Sequence, residues 1–242
     1  MTLLIEEVND NLKNAVAHFW KTRLRQLKRQ QASDRKDQGA RSAVTGGAQM
    51  DGFISLIANL VAAAGVTDAE IFRDKLLELP GYFRPTKEWD LLVVSGGRLL
   101  VAVETKSQVG PSFGNNFNNR TEEAMGSALD LWTAYREGAF NGNLRPWLGY
   151  FFLLEDCPAS NRPVNVREPH FPVFPEFRGA SYAKRYEIFC RKLVRERHYD
   201  AAALIMSSSE KGRQGIYTEP VSDLNFELFA RSLVAHVGAY AK

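Results

Sequence analysis

The chain has 242 residues, of which 45% are hydrophobic and 24% are charged, a composition typical of ordinary globular domains. No apolar run approaches the length needed to cross a bilayer, and the N-terminus lacks the basic-then-apolar order of a secretory signal. We therefore expect a cytoplasmic protein with no membrane partner. The only cysteines, Cys157 and Cys190, form no CxxC pair, so we expect reduced thiols and no zinc role.

The overall net charge of +3 conceals an uneven distribution of charge. The segment from Lys21 to Arg41 carries a net charge of +6, so the rest of the chain sums to −3. Such a block is either a solvated helix face or a surface that neutralises phosphates, whose binding would then depend on salt. Charge alone leaves these two interpretations open.

The first third of the chain predicts helices. Apolar residues at helical spacing predict an amphipathic helix over about Ile5–Gln31 and a second helix that begins near Met50. Between them, the polar stretch Ala32–Gly47 predicts a linker. The segment Thr67–Glu70 has the form of a capping box, which predicts a further short helix toward Leu79.

The remainder predicts strands and helices in alternation, with polar or proline-rich loops between them. The resulting order of elements predicts an α/β fold in which a mixed β-sheet is flanked by helices. The predicted strands are Glu88–Val94, Arg98–Lys106, Trp147–Leu154 and Asp200–Ser207; the predicted helices are Thr121 to about Glu137, Ser181–Tyr199 and Ser222–Tyr240; the predicted loops are Gly110–Arg120, Pro158–Gly179 and Lys211–Gly215.

The predicted hairpin WDLLVVSGGRLLVAVETKSQ has an apolar middle and a charged open end. Asp90 lies at the start of the first strand, and Glu104 and Lys106 lie at the end of the second. If three residues, Ser95–Gly97, form the turn, Asp90 faces Ala102 and shares a face of the sheet with Glu104 and Lys106. A turn of two residues would send Glu104 to the opposite face.

Two neighbouring carboxylates repel unless a cation lies between them. Mg²⁺ takes oxygen ligands and is usually held by one or two carboxylates and substrate phosphates, so Asp90, Glu104 and the carbonyl of Thr105 are predicted ligands. Lys106 would then orient or deprotonate a water that attacks phosphorus, or stabilise the charge that develops there. The alternative is a surface hairpin whose polar ends are simply solvated, because Asp followed by Glu-x-Lys also occurs by chance.

Longer blocks of the sequence are more specific than this short pattern, and they resemble the XhoI family of type II restriction endonucleases, within the PD-(D/E)XK nuclease superfamily. The resemblance also includes HFWKTR near the N-terminus. One departure is Trp89, which stands where the superfamily usually has proline before the aspartate. The blocks are TGGAQMDGF (Thr45–Phe53), LPGYFRPTKEWDLLVV (Leu79–Val94), ETKSQVGPSFGNNFNNRTEEAMGSALDLWTAYREGAF (Glu104–Phe140) and LEDCPASNRPV (Leu154–Val164).

The resemblance implies a restriction-endonuclease-like core and Mg²⁺-dependent hydrolysis of double-stranded DNA, with no organic cofactor. It implies cleavage of the palindrome CTCGAG after the first C, which leaves 5′-phosphates. It also implies that Asp90 and Glu104 bind the metal and that Lys106 is the catalytic lysine. A palindrome implies a homodimer, because each subunit reads one half-site. We expect one endonuclease domain over 1–242, with a basic helix and linker over 1–47 and the catalytic core within 48–210.

Candidate DNA contacts lie on both sides of the predicted hairpin: one group is in the loop after its second strand, and Lys87 lies just before its first strand. Arginine and lysine suit guanine, and asparagine suits adenine. The predicted loop supplies Asn115, Asn116, Asn118, Asn119 and Arg120. These asparagines are otherwise explained as caps of backbone groups in a turn-rich loop. Lys87, just before the hairpin, is a further predicted DNA contact.

Asp51, at the start of the second predicted helix, is either an auxiliary carboxylate near the metal or a favourable charge at a helix N-terminus. Two functions compete with a site-specific endonuclease. One is a repair or junction-resolving nuclease on the same core, and the other is a non-catalytic DNA-binding module.

Overall fold

The computed structural model describes residues 2–32, 47–67, 70–141 and 144–240. Most of the predicted linker, the C-terminal part of the basic block and two positions of the predicted capping box lie outside the described residues. No helix in the described ranges is long and apolar enough to cross a membrane.

Helices and strands of the described residues follow the predicted alternation. Short 3₁₀ turns lie at Pro175–Phe177, Lys211–Gln214 and Ser222–Leu224. The strands are β1 (Ile71–Phe72), β2 (Glu78–Pro80), β3 (Thr86–Glu88), β4 (Leu91–Ser95), β5 (Arg98–Gln108), β6 (Trp147–Glu155) and β7 (Ala201–Ser207). The helices are α1 (Thr2–Ala32), α2 (Asp51–Ala63), α3 (Phe113–Arg136), α4 (Pro158–Asn161), α5 (Tyr182–Arg195) and α6 (Phe226–Gly238).

One mixed sheet of five strands organises the fold, in the order β1-β4-β5-β6-β7. The pairs β1–β4 and β4–β5 are antiparallel, whereas β5–β6 and β6–β7 are parallel. The strands β2 and β3 form a separate two-stranded sheet. The predicted α/β fold, a mixed sheet flanked by helices, is therefore confirmed and agrees with a restriction-endonuclease-like core.

Helices cover both faces of the sheet, which explains why β6 and β7 read as nearly continuous apolar runs. Residues of α1, α2 and α6 pack against one face, and residues of α3 and α5 pack against the other. All residues of β7 are buried, and so are the first eight of the nine residues of β6. The parallel strands β5, β6 and β7 form the middle and one edge of the sheet, and β5 also belongs to the β4–β5 hairpin.

The predicted N-terminal helix is confirmed, and its apolar stripe belongs to the core. Leu12, Val16 and Phe19 are buried against α2 and the sheet. The indole Nε1 of Trp20 donates a hydrogen bond to Ser207 Oγ at 3.0 Å, at the end of β7. This bond ties the first helix to the far edge of the five-stranded sheet.

The prediction of a short helix after Thr67 is wrong. Glu70 accepts hydrogen bonds from Thr67 N at 3.3 Å and from Thr67 Oγ1 at 2.8 Å, which are contacts of a capping box. However, strand β1 follows directly, because Ile71 and Phe72 pair with β4 at the edge of the sheet. Pairing with an existing edge outweighs the local helix signal.

The prediction of a loop over Gly110–Arg120 is also wrong, since α3 begins at Phe113. Phe113 and Phe117 are one helical turn apart, and both contact aromatic residues of α5. A Cβ on Gly114 would lie 2.9 Å from Tyr182 Oη, so a glycine permits this close packing. Tertiary packing therefore outweighs the weak helix propensity of the asparagines and glycine.

Candidate active site

The turn of the central hairpin differs from the predicted three-residue loop. Ser95 pairs with Arg98, so only Gly96 and Gly97 form the turn. Both glycines have positive φ, at 57° and 73°, as a tight two-residue hairpin turn of this kind requires. The predicted pairing of Val94 with Arg98 is therefore wrong, and a regular hairpin with this turn would turn Glu104 away from Asp90.

A β-bulge in β5 nevertheless puts the charged residues on one face, as predicted, although the predicted pairing of Asp90 with Ala102 is wrong, because Ala102 pairs with Leu92. The register shifts between Val93 and Val94, which leaves Leu100 as the extra residue. Beyond the bulge Leu91 pairs with Val103, and the same register continued by one residue sets Asp90 opposite Glu104. The bulge thus gives the two carboxylates a shared face, although the turn that was expected to do so is absent.

A histidine of the last helix contacts the bulge. His236 Nε2 lies 3.2 Å from the carbonyl oxygen of Leu100. Because a carbonyl oxygen only accepts, Nε2 carries the proton and donates it. Burial lowers the pKa of His236, although the charge of Asp200 and the bond to Leu100 act in the opposite direction. The neutral ring therefore holds the carbonyl that the bulge removes from regular pairing.

Asp90 is fixed by the neighbouring strand. Its Oδ2 accepts hydrogen bonds from Thr105 N at 2.6 Å and from Thr105 Oγ1 at 3.0 Å. Burial and the charge of Glu104 raise the pKa of Asp90, against the effect of Lys106 and the two bonds from Thr105. Thr105 thus orients a predicted metal ligand through its amide and hydroxyl, a role that the sequence analysis missed.

Glu104 is buried, and each of its carboxylate oxygens contacts a lysine. Lys87 Nζ lies 2.5 Å from Oε2, and Lys106 Nζ forms a close ion pair with Oε1. Burial alone would raise the pKa of Glu104, but the two ammonium groups outweigh it, and the pKa is lowered. The carboxylate is therefore held in its ionised form.

Lys106 lies between the two carboxylates. Its Nζ contacts Glu104 and is 4.0 Å from Asp90 Oδ2. Burial would lower the pKa of Lys106, but the charges of Glu104 and Asp90 outweigh it and raise the pKa. The site thus contains the counter-charge that two adjacent carboxylates require.

Lys87 belongs to this cluster, although its sequence position predicted only a DNA contact. Its ammonium group lies 4.3 Å from the centroid of the Trp89 ring and donates to Glu88 O at 2.7 Å. Attraction to the ring face stabilises a cation at this distance. Trp89, which replaces the usual proline, is thus a platform for Lys87. Lys87 and Trp89 are two residues apart in an extended segment, so their side chains point to the same side, and this spacing was the sequence signal for their contact.

The floor beneath Glu104 is aromatic and buried. Glu104 is in register with Tyr150 of β6, whose ring packs at 5.2 Å from that of Tyr199. Burial raises the pKa of both phenols, so they stay neutral. Charged groups that lie against buried, neutral side chains interact more strongly than they would in water.

The donor set fits a hard divalent cation that is shared with a substrate. The described residues contain no group of three or more His, Cys, Asp or Glu side chains able to hold a metal. Asp90 and Glu104 offer two carboxylates, and the ammonium of Lys106 demonstrates that one cation reaches both. Mg²⁺ is commonly bound by one or two carboxylates, water and phosphate oxygens, so this set suits it better than a closed structural site.

A cavity of about 710 Å³ opens above the charged cluster, between the hairpin and α3. Glu104, Lys106 and Lys87 line one wall, and Arg120 lines the other. Arg120 NH1 donates to Glu123 Oε2 at 2.6 Å, whereas its buried Nε has no hydrogen-bond partner within the described ranges. Arg120 therefore keeps an unused donor next to the carboxylates.

The other predicted DNA-contact residues lie outside this cavity. Asn115, Asn118 and Asn119 are exposed on the first turns of α3, and Asn116 is half-buried there. Asp51 opens α2, where the charges acting on it are those of His18 and Asp74. Its position fits a favourable charge at a helix N-terminus, and the structure does not bring it to the paired carboxylates.

The mixed sheet and the charged hairpin end define a nuclease with a restriction-endonuclease-like core. The comparison with family models is more specific: the model described as restriction endonuclease XhoI matches residues 29–219. The chain belongs to this family.

Curated relatives agree with this assignment. The chain is 57% identical to the type II restriction enzyme BstVI of Geobacillus stearothermophilus over 211 residues, which cover 85% of this chain and 94% of the relative. It is 50% identical to the type II restriction enzyme XhoI of Xanthomonas vasicola, over 80% of this chain and 78% of the relative. The type II restriction enzyme AbrI of Azospirillum brasilense is 51% identical, over 71% and 77% respectively. No solved structure matches the chain.

Proposed function

We propose that this restriction endonuclease cuts double-stranded DNA at CTCGAG, after the first C, in a Mg²⁺-dependent reaction that leaves 5′-phosphates. The observation that carries the proposal is the carboxylate pair Asp90 and Glu104, which Lys106 bridges. Glu104 and Lys106 of this cluster line an open cavity. Membership of the XhoI family, with 50% identity to the enzyme named XhoI, supports the site-specific activity and the recognition sequence.

Asp90, Glu104 and the carbonyl of Thr105 would hold the metal. Bound there, Mg²⁺ would polarise the scissile phosphate and help to ionise the attacking water. The bonds from Thr105 to Asp90 orient one ligand, and burial keeps competing water away from Glu104. These ligands come from rigid strands, which suits a reaction that depends on positioning.

Lys106 is proposed as the catalytic lysine, which orients the attacking water or stabilises charge on phosphorus. Lys87 and Arg120 are proposed as phosphate contacts on opposite walls of the cavity. The place of Arg120 in the cavity wall supports this role, since a guanidinium that lines the cavity can contact a phosphate oxygen. Asn115, Asn116, Asn118 and Asn119 are proposed to reach the bases from the first turns of α3.

A homodimer is the proposed active form, because a palindromic site presents the same half-site twice. We also propose that residues 1–242 act as one endonuclease domain. The burial of the α1 stripe in the same hydrophobic cluster as α2 and the sheet supports this proposal.

A digest of two plasmids tests the function. One plasmid contains a single CTCGAG, and the other differs from it by one base pair within that site. With Mg²⁺ we expect a linear product from the first plasmid only, and sequencing of its ends should locate the cut after the first C. Lys106→Ala should be inactive, whereas the matched control Lys192→Ala, at an exposed lysine of α5, should cut normally.

Two other outcomes would overturn the proposal. Cleavage of branched DNA, or nicking unrelated to CTCGAG, would indicate a repair or junction-resolving nuclease. Sequence-specific binding without cleavage, in Mg²⁺ and in Mn²⁺, would indicate a DNA-binding module. Sedimentation of the free enzyme and of its complex with a CTCGAG duplex checks the dimer separately, since one monomer per duplex would contradict it.

A further inference from the structure

The small β2–β3 hairpin presents two aromatic rings to solvent. Its five-residue loop contains Tyr82 and Phe83, whose exposed fractions are 56% and 67%. The two rings contact each other edge to face, with centroids 5.6 Å apart and an interplanar angle of 81°. Two large exposed rings in contact are an apolar surface that no other element among the described residues covers, so they mark a candidate contact site.

The loop that carries these rings is fixed by a carboxylate of α3. Oδ1 of Asp130 accepts hydrogen bonds from the backbone amides of Tyr82 at 2.7 Å and Phe83 at 2.8 Å. Oδ2 of Asp130 accepts from Arg84 Nε at 2.8 Å. Burial would raise the pKa of Asp130, but these bonds outweigh it and lower the pKa, so the anchor stays ionised.

A glycine allows the loop to approach this anchor. A Cβ added to Gly81 would lie 2.3 Å from Asp130 Oδ2 and 2.6 Å from the carbonyl oxygen of Arg84. No other residue fits there without a shift of the backbone. The loop is therefore held in one position, and little conformational entropy remains to be lost when the rings meet a ligand.

One of the two rings, that of Phe83, lies at the edge of the catalytic cavity, and the ring of Tyr82 packs against it. Phe83 and Arg84 line the same cavity as Glu104 and Lys106. Phe171 and Phe174 are even more exposed, at 83% and 73%, but neither lines this cavity. Exposure alone thus does not distinguish the loop; its continuity with the site of phosphate chemistry does.

We propose that Tyr82 and Phe83 form an aromatic wedge that stacks on a base next to the scissile phosphate and partly unstacks the duplex there. This inference rests on the proposed function. Aromatic side chains stack on any base, and apolar wedges inserted between base steps kink duplex DNA. Arg84 and Lys87, on either side of Pro85 and Thr86, supply the cations that would bind the adjacent phosphates of the DNA backbone.

Asp130 is a positioning residue in this arrangement. It acts by fixing the backbone from which both rings project, through its bonds to the amides of Tyr82 and Phe83. A base that stacks on a preorganised ring requires no ordering of the loop, so the anchor contributes to affinity indirectly.

The test uses 2-aminopurine, a fluorescent analogue of adenine whose emission rises when it is unstacked, placed in turn at the adenine of the site and at adenines that flank the site on either strand. The enzyme is bound to CTCGAG duplexes with Ca²⁺ in place of Mg²⁺, and fluorescence and affinity are measured without cleavage. We expect one position to brighten with the wild type and with Phe171→Ala, a control at a still more exposed ring. In Tyr82→Ala/Phe83→Ala the signal should disappear and binding should weaken about tenfold or more.

The results of this test distinguish a failure of the aromatic wedge from a failure of the proposed function. If the wild type neither binds nor cuts CTCGAG, the proposed function fails and this inference fails with it. If the wild type cuts normally but the double variant keeps its affinity and its fluorescence signal, only the wedge is overturned. If the double variant changes the sedimentation mass of the free enzyme and not the fluorescence per bound duplex, the rings are a subunit contact and the wedge is again overturned.

A double-mutant cycle tests the positioning role of Asp130. Asp130→Ala alone should reduce both the affinity and the fluorescence signal. In the Tyr82→Ala/Phe83→Ala background the same substitution should cause no further loss, because the rings it positions are absent. A loss that is equal in both backgrounds would indicate a general destabilisation and would contradict the positioning role.

Discussion

Two buried carboxylates on opposite walls of one cavity, Glu104 and Asp130, are neutralised in different ways. Both oxygens of Glu104 contact lysine ammonium groups at the ends of flexible side chains. Asp130 instead accepts from two backbone amides and an arginine. Flexible side chains can move to another anion or make room for a metal, whereas backbone amides are fixed by the fold. The hydrogen-bond and ion-pair partners of a carboxylate, and not its burial or charge alone, therefore distinguish a reactive carboxylate from an anchoring one.

The largest expected effect is on catalysis. Lys106→Ala should reduce cleavage by about 10²- to 10⁴-fold, the usual contribution of a group that assists proton transfer or stabilises charge. Single-turnover cleavage with excess enzyme measures this loss without interference from product release. Because Lys87 remains as a counter-charge for Glu104, thermal unfolding should change little. If Lys106→Ala cut at the wild-type rate, the assignment of Glu104 and its lysines as the reactive cluster would be wrong.

The second expected effect is on stability, at the anchoring carboxylate. Asp130→Ala leaves two amide donors and Arg84 without their acceptor, which should lower the free energy of unfolding by about 1 to 3 kcal/mol. Urea unfolding measures the change, with Glu196→Ala, at the exposed residue that follows α5, as the control. An Asp130 variant as stable as the wild type would remove the contrast with Glu104.

The stability that Asp130 provides should depend on pH. Its pKa is lowered in the folded protein, so its contribution is fully present above the unfolded pKa, near the reference value of 3.8. The contribution should be lost as the pH falls below that value through the lower folded pKa. Unfolding curves of wild type and Asp130→Ala should therefore converge at acid pH, and curves that stay parallel would contradict the assignment.

The third prediction concerns the exchangeable partner Lys87. If it leaves Glu104 for a DNA phosphate, Lys87→Ala should reduce the slope of log affinity against log salt by about 0.9, the value for one phosphate contact. Binding titrations with Ca²⁺ at several salt concentrations measure the slope, and Lys192→Ala is the control. An unchanged slope would mean that Lys87 stays with Glu104 in the complex. Glu104 would then keep its partner as Asp130 does, and the contrast between the two carboxylates would be weaker.

The smallest expected effect concerns the bulge that aligns Glu104 with Asp90. The pKa of His236 is lowered from 6.5, so the folded state favours the neutral ring. Its contribution should be complete above pH 6.5 and should decrease as the pH falls from there to the lower folded pKa. His236→Gln should flatten this part of the profile of unfolding free energy against pH and cost about 1 kcal/mol at pH 8. A profile identical to the wild type would exclude this role.

The sequence predicted the parts of the fold that depend on repeated local patterns. Apolar runs located β6 and β7, and helical spacing located α1 and α2. The start of α3 could not be found in this way, because Gly114 and the asparagines favour a turn until Phe113 and Phe117 pack on α5. The signal was present in the spacing of the two phenylalanines, but its partner lies about 70 residues away along the chain.

The candidate site was partly predictable for a similar reason. Asp90, Glu104 and Lys106 come together as expected, although the expected turn is replaced by a shorter turn and a bulge. No local pattern marks a bulge at Leu100, since its carbonyl is satisfied by a histidine 136 residues away. Lys87 was predicted only as a DNA contact, and its ion pair with Glu104 was missed, as was the role of Asp130, because the partners are distant in sequence or belong to a separate hairpin.

The extra residue in β5 also has a consequence for how this enzyme can vary. Deletion of the single codon for Leu100 would leave each of Asp90, Glu104 and Lys106 in the protein. With the Gly96–Gly97 turn kept, the two strands would then pair regularly and Asp90 would stay opposite Glu104, because Leu100 is the residue without a partner. A strand that kept Leu100 but lost the bulge would instead set Asp90 opposite Val103 and point Glu104 toward α2 and α6. The hairpin can therefore change in length here without loss of the shared face only when the bulge and its extra residue are gained or lost together.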